Sequence, residues 1–129
     1  MTRRAEEVAR GVHVMTSRRY VTTSTVVLAD TDALVVDPCW DADELAGVAE
    51  FLEAAGVPRA AGLATHLHYD HVGTFDEFPQ ARFHLQDAEM SFATGRHMCN
   101  GYLRHSYEPE EVIGMVRLVY QDRVVFHRG

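Results

Sequence analysis

His66-Leu67-His68-Tyr69-Asp70-His71 sets three imidazoles and a carboxylate within six consecutive residues. Neutral imidazole nitrogen and carboxylate oxygen both ligate zinc at roughly 2.0–2.2 Å, and four such donors taken into a fold need partners to offset their desolvation. The spacing points to a metal site, against the plainer reading of a polar loop whose histidines only bond to backbone. The apolar run Ala60-Ala61-Gly62-Leu63-Ala64 just before it reads as a buried strand, so His66 and His68 leave its end on the same side. Asp70 and His71 follow where the chain turns, with Gly73 just beyond, and can swing toward a second ion beside the first.

The surrounding pattern predicts the elements that must hold this run. Residues 12–15 and 20–28 read as strands, the second rich in Thr and Val. Asp30-Thr31-Asp32 is a turn, and 33–37 is a short apolar strand ended by Pro38, so the first part of the chain is an antiparallel meander. Asp37 emerges at that strand end. Asp41 and Glu44 have the form of a helix N-cap with its reciprocal acid, and Leu45, Val48, Ala49 and Leu52 recur at helical spacing over 42–55. Gly56 can close the helix in the left-handed conformation and Pro58 prevents its continuation. Strand 60–65 follows, which predicts a right-handed strand-helix-strand crossover and puts the metal ligands at a strand end, where layered α/β folds build their sites.

Beyond the histidine run, Phe75, Phe78 and Pro79 form a short apolar patch, and 81–85 alternates as a strand. A brief helix is expected near Asp87. Residues 96–107 carry His97 and His105 without a clear period and are the candidate specificity loop. Glu108-Pro109-Glu110-Glu111 opens another helix with acids in its first turn, its apolar face given by Val112, Met115, Val116 and Val119; 123–127 is a final strand. His13, His84 and His127 fall within strand patterns and read as partly buried structural residues. His97 and His105, by contrast, could approach the metal from a loop.

With 129 residues, 47% hydrophobic and 24% charged, the chain reads as one globular domain. No stretch approaches the roughly 20 apolar residues of a membrane span. The start, Met1-Thr2-Arg3-Arg4-Ala5-Glu6-Glu7, lacks the apolar run of a secretory signal, so the cytoplasm is the expected location. A net charge of −7 argues against a nucleic-acid partner, which would call for a basic face. Arg3-Arg4 and Arg18-Arg19 are too short to make one and read as solvated surface. Cys39 and Cys99 lack Cys-x-x-Cys spacing and are expected to be reduced.

Thr65-His66-Leu67-His68-Tyr69-Asp70-His71-Val72-Gly73 resembles the signature of the metallo-β-lactamase superfamily. Phe83-His84-Leu85-Gln86-Asp87-Ala88-Glu89-Met90, with Ala93-Thr94-Gly95-Arg96-His97-Met98, resembles more narrowly its N-acyl-homoserine lactonase branch. The fold class this implies is α/β: an αββα sandwich, here its N-terminal half, a mixed sheet with flanking helices. Residues 1–129 would be a single metallo-β-lactamase-like domain, truncated C-terminally. By resemblance His66 and His68 ligate a first zinc, Asp70 and His71 a second, and Asp37 supports the site from behind the ligands, although an Asp that merely opens a turn before proline is nearly as natural a reading. A third histidine, a bridging aspartate and a final histidine come in the family from later segments. Its next histidine lies after the strand matched here by 123–127, and this chain stops at Gly129.

Zinc lowers the pKa of bound water toward about 7, so the implied reaction is attack by zinc-bound hydroxide on an N-acyl-homoserine lactone or related ester, which is quorum quenching. Asp70 would relay a proton to the leaving oxygen. Phe75, Phe78 and Met98 could face an acyl tail, though core packing is the commoner role for such residues. Two other readings stand beside this one: a glyoxalase II-like thioester hydrolase of the same superfamily, and an incomplete, inactive metal-binding or assembly module. The expected partner is a small lactone or ester, with neither nucleic acid nor membrane. A half-sandwich also leaves an apolar face open, which predicts self-association or pairing with a complementary segment.

Overall fold

A computed structural model describes residues 4–18, 21–38, 42–57, 59–65, 81–87 and 122–128. Seven strands and one helix lie within them: β1 (Glu6–Ala9), β2 (Val12–Thr16), β3 (Thr23–Leu28), β4 (Asp32–Val36), α1 (Ala42–Ala54), β5 (Arg59–Leu63), β6 (Phe83–Gln86) and β7 (Val124–His127). They form a single sheet in chain order, β1 to β7. Pairings from β1 to β4 are antiparallel, and those from β4 to β7 are parallel. The sheet is therefore a meander on one side of β4 and a run of crossovers on the other. The short helix expected near Asp87, the helix opened by Glu108 and the patch at Phe75, Phe78 and Pro79 lie outside the described residues, as do Cys39 and Cys99.

Alternation along β3 decides which face is covered. Ser24 and Val26 are fully buried while Thr23 and Val27 are exposed, the two-residue period of a sheet with one packed side. The register carries that side across the sheet, so Met15, Val26, Ala33 and Val35 share one core with Val48, Leu52 and Val57. Leu45, Val48 and Leu52 of α1 are all buried at helical spacing. His13 joins this side, half-buried, with its ring 4.9 Å from that of Phe51 and tilted to it.

Both ends of α1 are tied by specific bonds. Glu44 does not reach back along its own helix; its carboxylate accepts from Ser17 Oγ at 2.7 Å and from the Arg18 amide at 2.8 Å. Arg18, expected as plain surface, places its guanidinium on Asp43 at 2.7 and 2.8 Å. An acid pair in the first turn of a helix, favourable there in any case, thus anchors α1 to the end of β2. At the other end Gly56 sits at φ +71°, its amide donates to Glu53, and the Val57 amide donates to Leu52. That is a Schellman closure, completed by apolar contact across it from Val57 and Leu52, both in the core.

Three elements depart from expectation. β1 is fully exposed along its length, so it carries no hydrophobic period; a hairpin at Gly11, φ +73°, with the Gly11 amide on Glu7 Oε1 at 3.0 Å, creates it instead. β3 begins at Thr23 and not at residue 20, because Val21 takes φ +55° in the preceding turn. The turn before β4 is shorter than expected, with the Ala29 amide donating to Asp32 O, so Asp32 already belongs to the strand.

Gly62 of β5 is beside Phe83 of β6 in the register, and Phe83 is fully buried. A Cβ on Gly62 would lie 2.5 Å from Phe83 Cδ1 and 2.6 Å from Cε1. Glycine is what lets the ring lie flat against the strand that leads to the histidine run. Gly62→Ala is expected to lower unfolding free energy by about 1–3 kcal/mol through overpacking, read as a lower urea midpoint at constant slope, and Phe83→Leu in the same chain should recover part of it.

Candidate metal centre

β4, β5 and β6 run parallel, so their C-terminal ends share one edge of the sheet. Asp37 follows β4 at that edge and Thr65 lies two residues past β5. The Asp37 carboxylate spans the gap between them: Oδ1 accepts the Thr65 amide at 2.8 Å and Oδ2 accepts the Thr65 hydroxyl at 2.9 Å. The Asp37 amide donates in turn to Leu63 O at 2.9 Å. The two strand ends are therefore laced together by side chain and backbone, one residue before His66.

Asp37 adopts φ +51° to do this. Aspartate tolerates the left-handed region better than most residues, but a residue before proline is normally driven to extended conformations, and Pro38 follows, fully buried. Contacts hold the unusual conformation in place. Besides the bonds to β5, Ser24 Oγ donates to Asp37 O from β3, and Ser24 is wholly buried. Strain retained at a point that several bonds over-determine is typical of functional positions. Of the two readings of Asp37 open from the sequence, a residue that merely opens a turn does not call for a carboxylate that accepts both the amide and the hydroxyl of Thr65 at the neighbouring strand end.

His66, His68, Asp70 and His71 lie outside the described residues, as do His97, His105, Phe75, Phe78 and Met98. What the structure supplies is the platform from which the run departs. Its donor chemistry suits zinc, three borderline imidazoles with a carboxylate, and the last described residue before it is fixed by two bonds. Sequence reasoning singled out Asp37 but missed Ser24 and Thr65 as its partners. A serine in a Thr- and Val-rich strand gives no sign of function, and its bond to Asp37 follows only from the antiparallel register that sets Thr25 against Val36.

Two histidines taken separately in the sequence are neighbours in the fold. His84 Nδ1 and His127 Nε2 are 2.7 Å apart across β6 and β7. Burial lowers the pKa of His84 below its ordinary 6.5, with smaller contributions from His127 and from Arg82.

Comparison with known proteins bears on the whole arrangement. The family model described as metallo-beta-lactamase superfamily matches residues 18–93, more than half of the chain. Among solved structures, the chain is similar to VMB-1, with a TM-score of 0.60 at 17% identity over 74% of this chain and 48% of that one. It is similar likewise to the DIM-1 metallo-beta-lactamase, with a TM-score of 0.59 at 18% identity over 74% and 47%. FIM-1 from Pseudomonas aeruginosa, solved in a mono-zinc form, gives a TM-score of 0.56 at 17% identity over 69% and 44%. The chain spans about half the length of these structures. No curated protein matches it.

Asp37→Ala removes both bonds to Thr65 and is expected to cost about 1–3 kcal/mol, as the loss of bonds to a charged acceptor. Asp37→Asn keeps one acceptor for the Thr65 amide and offers a donor to its hydroxyl, so it should cost less than half as much. Urea unfolding of the two variants checks the order; equal losses would deny the clamp.

Proposed function

The chain belongs to the metallo-beta-lactamase superfamily, and from that we propose that it is a zinc-dependent hydrolase opening a lactone or related ester. The observation that carries the reading is the Asp37 clamp on Thr65, which fixes the residue just before the histidine run at the edge where the parallel strands β4 to β7 end.

In this reading His66 and His68 hold one zinc and Asp70 and His71 a second. Bound zinc supplies an activated water at neutral pH and polarises the carbonyl under attack. Asp37 acts from behind the ligands: by holding Thr65 at both its amide and its hydroxyl it limits how far the chain carrying His66 can shift, and such supporting groups orient ligands. Asp70 would take up the proton given off as the attacking water adds to the carbonyl and pass it to the leaving alkoxide as the ring C–O bond breaks. The lactonase branch is favoured over other esters by the run from Phe83 to Met90 with Ala93 to Met98, and the substrate proposed on that ground is an N-acyl-homoserine lactone.

Zinc content of the purified chain and alkali uptake during lactone opening test the proposal together. His66→Ala and His68→Ala should each abolish stoichiometric zinc and turnover. Asp37→Ala should weaken zinc binding by about 10- to 100-fold, the usual effect of losing a group behind a ligand. A wild-type chain that takes up no zinc overturns the reading; zinc with turnover of thioesters alone moves it to a glyoxalase II-like activity.

A further inference from the structure

β7 is the end strand of the sheet among the described residues and has β6 as its neighbour. Both strands are four residues long, and the register pairs His84 with Val125 and Gln86 with His127, which puts His84 and His127 on the same face, diagonally opposed. That face is the one turned away from Phe83 and Leu85, the buried residues of β6. The two rings are inclined by only 28° with centroids 5.0 Å apart. More than half of that separation is the 2.7 Å gap between His84 Nδ1 and His127 Nε2, and the remainder is the two ring radii. The nitrogens therefore lie on the line between the ring centres. This is an end-to-end hydrogen bond, not a face-to-face stack.

Such a bond depends on protonation in steps. In two neutral imidazoles one facing nitrogen donates and the other accepts. One added proton leaves the bond intact and makes it charge-assisted. A second puts N–H on both facing nitrogens, so the bond is lost and two cations confront each other.

We propose that His84 and His127 form a proton-operated joint, which fastens β7 to β6 at neutral pH and releases it in mild acid. Other charged groups near the pair reinforce the repulsive step or leave it unopposed. Arg82, just before β6, adds positive charge; Arg123 bonds through Nε to Ala81 O at 3.2 Å and lies over the Phe83 ring at 5.9 Å, on the side turned away from the pair. Asp87 is paired with Arg128, 3.6 Å away at the exposed end of the strands. On β5 the positions that face the same way are Ala61 and Leu63, neither ionisable.

The direction of the pH effect follows from linkage. Since the fold holds His84 below its ordinary 6.5, the unfolded chain binds the proton first as pH drops. The associated stability is whole above 6.5 and is lost as pH falls from there through the depressed folded value.

Imidazole nitrogen spectra and amide hydrogen exchange of the full chain in EDTA, from about pH 8 to about pH 4.5 where histidines titrate, test this. The pair should take up its protons in two separate steps. Between pH 6.5 and the second step, protection factors of the β7 amides should fall with pH by up to about tenfold per unit, the slope for one linked proton, while those of β2 and β3 hold. His84→Gln and His127→Gln, each keeping a polar side chain that does not titrate, should flatten the β7 response. A single shared step in the wild type, an equal loss of protection in β2 and β3, or an undiminished acid response in both glutamine variants overturns the proposal.

Discussion

The bond between the Asp37 carboxylate and Thr65 is the constraint on which the arrangement at the strand ends depends. Parallel strands have no hairpin to fix their ends relative to one another, so β4 and β5, joined through α1, need some other device to bring their exits into line. A single carboxylate accepting a backbone amide and a hydroxyl provides it. Because both acceptors belong to one rigid group, position and orientation of Thr65 are set together. Ser24 extends the same arrangement to β3, making three consecutive strands of the sheet contributors to one point.

The core serves that point from the opposite side. α1 covers the face carrying Val26, Ala33 and Val35, and its ends are closed by bonds that leave little freedom to slide: Glu44 and Asp43 on Ser17 and Arg18 at the start, the Gly56 closure at the finish. The ion pair of Arg18 with Asp43 is well exposed and contributes little by itself. The bond from buried Ser17 to Glu44 matters more, since an unsatisfied buried hydroxyl is costly. Gly62 makes the next contact possible by giving up a side chain where Phe83 needs the space.

Much of this was legible in the sequence where apolar period and turn chemistry agree. Leu45, Val48 and Leu52 with Gly56 and Pro58 define α1 and its end within a residue. The strands β2, β4, β5, β6 and β7 each sit within two residues of an apolar or β-branched run. β1 was not legible, because an exposed edge strand buries nothing and leaves no hydrophobic trace. Nor was the destination of Glu44, since a capping-box pattern has the same residues whether the acid turns back along its helix or out to a loop. At the site, Asp37 showed itself by standing between an apolar strand and a proline. Ser24, Thr65 and the pairing of His84 with His127 are products of register between strands far apart in the chain, and no local pattern encodes them.

The change from antiparallel to parallel pairing at β4 separates two tasks geometrically. Once strands run the same way, each connection that follows β4, β5 or β6 must set out from the edge that holds Asp37 and Thr65 and come back at the other. Return points can thus stay constant while departing segments lengthen or shorten, because additions on the departure side disturb neither register nor core. A scaffold wired in this manner can acquire new loops over that edge by insertion alone, with the sheet beneath left as it was.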